Sequence, residues 1–149
     1  ISYEEGIFVG YRYFDQYDEA PLFPFGHGLS YSQFNYADMR VSSASMSGDK
    51  PLTVSVNITN TSHVDGAEVV QLYLRDVDSS VPRPIKELKG FNKVWLKAGE
   101  TQTAQFTLTQ RDLSFWDVKS NNWLAESGEF EIMLGASVAD IKLSTKFNY

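Results

Sequence analysis

Apolar and polar residues alternate along most of this chain from Phe34 onward, which is the period of a β-strand with one buried face. In the clearest case, from Leu52 to Thr59, every second residue is Leu, Val or Ile and the residues between them are Thr, Ser or Asn. Small, polar or glycine-containing segments separate the alternating stretches, as turns do in antiparallel sheets. The pattern therefore predicts a series of short strands joined by tight turns.

The pattern predicts eight or nine strands and no convincing helix. The predicted strands lie at 36–42, 52–59, 67–76, 86–97, 101–109, 113–118, 123–125, 130–134 and 141–147. The third is apolar on both faces, which is typical of a central strand, and the fourth is expected to bend near Gly90. This spacing predicts an all-β fold, an antiparallel sandwich of immunoglobulin or fibronectin type III character. A barrel also fits the pattern.

The beginning of the chain follows a different pattern. Eleven aromatic residues, Tyr3 among them, lie within the first 36 positions, yet residues 1–33 show no regular strand or helix period. An aromatic segment without a period of its own usually packs on another surface. We therefore predict an irregular N-terminal arm at 1–33, which docks on another domain or folds back on the sheet, followed by the sandwich at 34–149.

The arm contains a connector, Pro24–Tyr31, in which two glycines flank a histidine. Glycine adopts backbone angles that are closed to other residues, so the connector should form a tight, non-repetitive junction. The predicted junction residues are Pro24, Phe25, Gly26, His27, Gly28 and Tyr31. For His27 the sequence favours a hydrogen bond to the backbone that locks the connector, and the alternative is a functional tip that reaches a ligand.

Charge and composition exclude several classes of function. A net charge of −6 argues against binding to nucleic acid, and no apolar run is long enough for a membrane span. The absence of cysteine excludes disulfides and thiolate metal sites. The chain begins at Ile1 without a signal-like segment, so we expect a processed piece or part of something longer. Location stays open, with a secreted or periplasmic site favoured over a cytoplasmic one.

Candidate chemistry is sparse. No nucleophile elbow, phosphate loop or dinucleotide-binding pattern occurs, and we predict no catalytic residue, no cofactor and no metal site. The acidic residues, Asp76 and Asp78 for example, fit solvated loops or strand faces. Trp95, Trp116 and Trp123 are candidates for stacking on sugar rings, and the alternative is partial burial under loops or against a neighbouring domain.

Four stretches resemble one protein family. Glu5–Asp15 resembles the segment that leaves the second catalytic domain of family-3 glycoside hydrolases, and Pro24–Tyr31 is similar to the junction motif of the same family. Val69–Tyr73 and Arg83–Phe91 resemble its C-terminal fibronectin type III-like domain. The resemblance extends over essentially the whole chain.

This resemblance implies a place in an architecture. Members are typically retaining β-glucosidases or β-xylosidases, with an Asp nucleophile on a (β/α)8 barrel and a Glu acid/base on an α/β sandwich. No residue here matches either motif. The implied function is thus a non-catalytic C-terminal module that stabilises the catalytic domains, which would be its partners. The alternative is a carbohydrate- or lignin-binding module that anchors an enzyme to insoluble polysaccharide.

Overall fold

The computed structural model describes residues 4–48 and 50–149; Ile1, Ser2, Tyr3 and Asp49 lie outside the described residues. The first positions of the predicted arm, and Tyr3 among its aromatic residues, therefore have no structural account. The strands are β1 (Phe34–Val41), β2 (Leu52–Asn60), β3 (Gly66–Asp76), β4 (Glu87–Leu96), β5 (Thr101–Leu108), β6 (Phe115–Asp117), β7 (Asn122–Leu124), β8 (Glu129–Ser137) and β9 (Asp140–Asn148). Two short helices, α1 (Tyr11–Gln16) and α2 (Gln110–Leu113), complete the elements of the described residues.

The strands form two antiparallel sheets and a separate hairpin. Sheet A has the order β1-β2-β5, sheet B has the order β4-β3-β8-β9, and β6 pairs with β7. The inward-facing side chains of both sheets make a single large apolar core. This arrangement confirms the predicted all-β sandwich, and the separation into two sheets distinguishes it from the barrel.

Two strands show how the sequence pattern generates the core. In β2, Leu52, Val54, Val56 and Ile58 are all buried, whereas the residues between them are only partly so. In β3, Val70, Leu72 and Leu74 enter the core and Tyr73 is buried on the opposite face. The strand apolar on both faces is central, with β4 on one side and β8 on the other. Full burial of each such side chain contributes about 1.5–3 kcal/mol.

Strand β4 contains the predicted bend. Leu72 of β3 is opposite Gly90, whereas Tyr73 is opposite Leu88, so Lys89 is an extra residue on β4. Two residues opposite one make a β-bulge, which bends the strand and increases its twist. Gly90 also lies against the Phe106 ring, where an added Cβ would approach within 3.3 Å.

The two helices differ from the prediction, which had none. Helix α1 lies in the arm and has only six residues, three of them aromatic, so it shows no apolar stripe. Helix α2 has four residues and its N-cap is Thr109, whose N–H donates to Asp112 Oδ2 at 2.7 Å. The spacing Thr109-x-x-Asp112 is a capping-box signature that the strand interpretation overlooked.

Strand β1, at one edge of sheet A, is interrupted. The pairing of β1 with β2 shifts in register between Ala37 and Arg40. At this point Asp38 has a left-handed backbone with φ 53° and its carboxylate accepts a hydrogen bond from Asn57 Nδ2 at 3.1 Å. A short polar side chain makes that conformation tolerable.

Candidate docking surface

The connector forms a tight turn across the outer face of sheet B. The His27 N–H donates to Pro24 O at 3.0 Å, and Gly26 between them has φ 79°. Gly28 has no atom near the position of an added Cβ. Only the first of the two connector glycines therefore meets a steric demand.

Gln71 of β3 holds the connector on the sheet. Its side-chain Nε2 donates to Gly26 O at 3.2 Å and to Ala136 O at 2.7 Å, and its Oε1 accepts from the Tyr73 hydroxyl at 2.6 Å. The Val138 N–H donates to Phe25 O at 3.0 Å. A Cβ on Gly26 would overlap the Gln71 amide. The backbone thus approaches the sheet as closely as glycine allows.

Helix α1 covers the neighbouring part of the same sheet. The Tyr11 ring stacks on Phe25 with centroids 4.7 Å apart and meets the Tyr73 ring edge to face at 6.3 Å. Tyr73 forms a second, smaller apolar cluster with Met133 and Val138 outside the main core, and Tyr11 packs against it. Burial raises the pKa of Tyr73 well above its ordinary value. The arm in this structure thus folds back on its own sandwich.

Polar contacts also join α1 to three consecutive residues. Lys86 Nζ lies 3.3 Å from Asp15 Oδ1, Arg12 Nη2 lies 3.3 Å from Glu87 Oε1, and the Leu88 N–H donates to the Tyr11 hydroxyl at 3.0 Å. Lys86, Glu87 and Leu88 lie within the stretch Arg83–Phe91, for which the family resemblance implied no role of this kind. We call the contacts of Lys86, Glu87 and Leu88 with the arm the arm clamp.

Glu87 is the centre of a buried charge network. Its Oε2 is 2.8 Å from Arg83 Nη2 and 3.4 Å from Lys89 Nζ, and the Arg83 guanidinium also bonds Asp76 at 3.0 Å and Leu113 O at 2.9 Å. Burial would raise the pKa of Glu87, but the cations Lys89, Arg83 and Arg12 hold the pKa below its ordinary value. The network fixes Glu87 in its charged form.

The interpretation of Asp76 as a solvated loop residue was wrong. Its side chain is almost fully buried, at 4% exposed, because it pairs with the equally buried Arg83. Aspartate is seldom buried unless it is paired, and the partner comes seven residues later, beyond a proline-containing loop. Asp78, by contrast, is exposed.

The outward side of the connector is apolar and accessible. Residues 20–37 contain no Asp, Glu, Lys or Arg. Leu29 is 92% exposed and Tyr31 100% exposed, and Leu22 and Phe23 are also largely exposed. We call Leu22, Phe23, Leu29 and Tyr31 the apolar ridge. Four large apolar side chains so exposed within ten residues of one another mark a contact surface.

His27 does not make the predicted side-chain contact. The imidazole is exposed, and the described residues provide it with no hydrogen-bond partner; its ring lies 6.0 Å from the Phe23 ring. The backbone amide of His27 closes the turn instead. Its expected locking role therefore belongs to the main chain here.

The three tryptophans occupy two separate places. Trp95 lies on the outer face of β4, because its neighbours Val94 and Leu96 are buried inward. Trp116 and Trp123 are cross-strand partners in the β6–β7 hairpin and line a groove of about 620 Å³. Their rings meet at 72°, and the Arg111 guanidinium covers the Trp123 ring at 3.3 Å. They do not form the coplanar strip that stacking on a polysaccharide chain requires.

The described residues show no arrangement for catalysis by a metal. Within residues 4–48 and 50–149, no three His, Asp or Glu side chains gather in a group that could hold a metal ion. Neither helix in those ranges has the length and apolar character needed to cross a membrane. The most developed features are the arm clamp and the apolar ridge.

Comparisons with known proteins agree with the sandwich fold. Residues 68–138 match the family described as fibronectin type III-like domain. The chain is 50% identical over 143 residues to thermostable beta-glucosidase B of Acetivibrio thermocellus, and the match covers 96% of this chain and 19% of that protein. It is 46% identical over 141 residues to an exo-alpha-(1->6)-L-arabinopyranosidase of Bifidobacterium breve, covering 95% of this chain and 18% of that protein.

Solved structures show the same relationship. The crystal structure of the GH3 beta-glucosidase of Bifidobacterium adolescentis superposes with a TM-score of 0.90 at 44% identity, over 97% of this chain and 21% of that one. The chain therefore spans about a fifth of the length of the proteins that it matches. The match includes the arm and the connector as well as the sandwich.

Proposed function

We propose that the chain is a non-catalytic structural module of a family-3 β-glucosidase. It carries a fibronectin type III-like domain and is homologous to a C-terminal segment of such enzymes. In this proposal it packs against the catalytic domains and stabilises them. The whole protein would be a retaining β-glycosidase, whose nucleophile and acid/base lie outside these residues.

The apolar ridge carries the proposal. Leu29 and Tyr31 are almost fully exposed within a stretch that has no Asp, Glu, Lys or Arg, although 21% of the chain is charged. The opposite side of the same connector is fixed on sheet B by Gln71. A rigid backbone that presents uncharged side chains suits a permanent apolar contact, because little conformational entropy remains to be lost on docking.

The arm clamp supports the same role. It joins helix α1 to the start of β4 and to Lys86 just before it, through two ion pairs and a hydrogen bond, so the segment that precedes the connector has a defined path on the sandwich. A domain that supports another must be held in a fixed orientation relative to it. Fixing the segment through which the chain enters the sandwich provides such an orientation. The clamp would hold the sandwich at one orientation to the polypeptide before it.

Relatives with different named activities favour bracing over substrate choice. One similar protein is named as a beta-glucosidase and another as an arabinopyranosidase, yet both match the same segment. A module that recognised one sugar would be expected to differ between them more than one that only supports the fold.

The proposal is tested with the relative from A. thermocellus. Its matching segment is deleted in one protein and replaced by this chain in another, and activity and thermal inactivation are measured for both. We expect the deletion to lose solubility or inactivate much faster, and the replacement to recover most of the native half-life. A replacement no more stable than the deletion contradicts the proposal.

The isolated chain provides the second test. We expect no hydrolysis of an aryl β-glucoside above the rate of buffer, since in this proposal both carboxylates that such hydrolysis needs lie outside these residues. Turnover that persists through rigorous purification and is unaffected by removal of trace β-glucosidase would overturn the non-catalytic assignment.

A further inference from the structure

The outer face of sheet B has an uncovered half next to the connector. Helix α1 and Phe25 cover the part around Tyr73 and Met133. On the other part, Phe91 of β4 is opposite Gln71, and Trp95 is opposite Ala67. Phe91 is 70% exposed and Trp95 is 62% exposed.

Phe91 and Trp95 face outward together. Side chains two residues apart on a strand share a face, and Phe91, Lys93 and Trp95 alternate with the inward-facing Val94 and Leu96. Val69 of β3 lies opposite Lys93 and is itself partly exposed. The result is an apolar strip with one cation at its centre.

The connector runs beside the same length of β3. At one end Gly26 O is bonded to Gln71, and at the other end Ser32 Oγ bonds Val64 O and Asp65 O, directly before β3 begins at Gly66. The distance along β3 from Gly66 to Gln71 is about 17 Å. The connector from Gly26 to Ser32 can reach about 20 Å. Beyond the turn at Pro24–His27, the chain as far as Ser32 is therefore nearly extended along the first half of β3.

We infer that the strip of Val69, Phe91 and Trp95 belongs to the same interface as the apolar ridge and that both are covered by the remainder of the same polypeptide. This inference rests on the proposed function and adds the sheet face to it. Trp95 then serves as an anchor between domains rather than as a platform for sugar.

The covering surface has a stated chemistry. It is mostly apolar, to match the two aromatic side chains and the ridge, and it provides a carboxylate or carbonyl oxygen opposite Lys93. The rest of the polypeptide is the occupant because this chain matches only about a fifth of its relatives and its match includes the connector that leads to the strip. Buried aromatic anchors of this kind dominate the energy of interfaces.

The replacement protein described above provides the test. Phe91 and Trp95 are both changed to Ser in one variant. The matched control changes Val118, which is 82% exposed in the turn between β6 and β7, to Ser. Each change is introduced into the isolated chain and into the replacement protein.

We expect both isolated variants to keep the melting temperature of the parent chain within about 3 °C, because the altered side chains are exposed. In the replacement protein, the Phe91/Trp95 variant should be inactivated by heat about tenfold faster, the effect of roughly 1.4 kcal/mol on the barrier. The control should be inactivated at the unaltered rate.

The remaining outcomes separate the two proposals. If the unaltered replacement is no more stable than the deletion, the proposed function fails. If it is stabilised but the Phe91/Trp95 variant inactivates as slowly as the control, only the extended interface fails. Dimerisation of the isolated chain, or retention on cellulose or xylan, that is lost in this variant would assign the strip to a second copy or to a polysaccharide and overturn the inference.

Discussion

Gly26 occupies a position where both the backbone angle and the surrounding atoms exclude a side chain. Its φ is 79° and the Gln71 amide fills the space that a Cβ would need. Gly28, two residues later, has neither constraint. The pair allows a direct comparison within one connector.

We expect Gly26→Ala to lower the free energy of unfolding by about 2 kcal/mol, from left-handed strain and displacement of Gln71. Gly28→Ala should change it by less than about 0.5 kcal/mol. Urea unfolding followed by tryptophan fluorescence measures both. Equal effects of the two substitutions would show that Gln71 does not hold the connector.

Glu87 predicts a specific dependence of stability on pH. Its pKa is lowered in the folded state, so the charged carboxylate stabilises the fold above the unfolded pKa of about 4.3, and this stabilisation is lost as the pH falls through the folded pKa. Glu87→Gln should therefore cost about 2 kcal/mol at neutral pH, and this cost should decrease as the pH is lowered from about 4.3 towards 3.

The comparison of parent and variant isolates this residue. Burial raises the pKa of Glu68 and Asp76, which gives the opposite dependence on pH, but both residues are present in both proteins. Glu129→Gln, which removes a surface pair with Lys146, is the control and should have little effect at either pH. A Glu87→Gln deficit that is constant from neutral pH to pH 3 would contradict the charge network.

At the scale of elements, the β6–β7 hairpin depends on contacts outside its own two strands. An isolated pair of three-residue strands is marginal in water. The Arg111 guanidinium lies 3.3 Å from the Trp123 ring centroid, and Arg83 lies 5.8 Å from that of Phe115. These cation–π contacts tie the hairpin to α2 and to the charge network.

We expect Arg111→Ala to accelerate amide hydrogen exchange in the hairpin by about fivefold, the effect of removing about 1 kcal/mol of cation–π energy. Lys119→Ala, in the exposed turn of the same hairpin, is the control and should leave exchange unchanged. Exchange measured by mass spectrometry on hairpin peptides distinguishes them. Unchanged exchange in Arg111→Ala would show that strand pairing alone holds the hairpin.

The sequence predicted strands better than helices for a physical reason. The alternation of apolar and polar residues in β2 indicated a strand with one buried face, and the apolar residues on both faces of β3 indicated a central strand. Helix α1 depends on its contacts with sheet B, since it has no apolar stripe of its own. The helix is stabilised by tertiary packing, so the local sequence pattern could not predict it.

The candidate surface was predictable in part. The aromatic content of the arm and the glycines of the connector indicated a junction that packs on something. The partners that hold it, Gln71, Glu87 and Leu88, come 45 or more residues later than the arm residues they contact, and a single sequence does not encode such pairings locally. Asp76 was misread although its partner Arg83 comes only seven residues later, because the two are joined by a proline-containing loop whose path the local pattern does not indicate.

At the scale of the whole molecule, the arm is expected to be part of the folded unit. Deletion of residues 1–19 removes Tyr11 and the arm clamp and uncovers Tyr73 and Met133. We expect a loss of about 3 kcal/mol, the sum of a buried ring and its hydrogen bond, with the β-type circular dichroism retained.

Deletion of residues 1–9 is the matched control, because it leaves α1 and all three clamp contacts in place. It should change the free energy of unfolding by less than about 0.5 kcal/mol. Thermal and urea unfolding of the two truncated chains measure the difference. Equal stability of the two would show that α1 rests on the sandwich without contributing to it.

The interruption of β1 has a consequence for behaviour in concentrated solution. A regular outer strand offers a row of free amides and carbonyls on which a foreign strand can add, and successive additions build a fibril. The register shift between Ala37 and Arg40 and the left-handed backbone at Asp38 break that row in its middle. The chain exposes apolar side chains on one surface, but the interrupted β1 edge does not offer a template on which a fibril could grow.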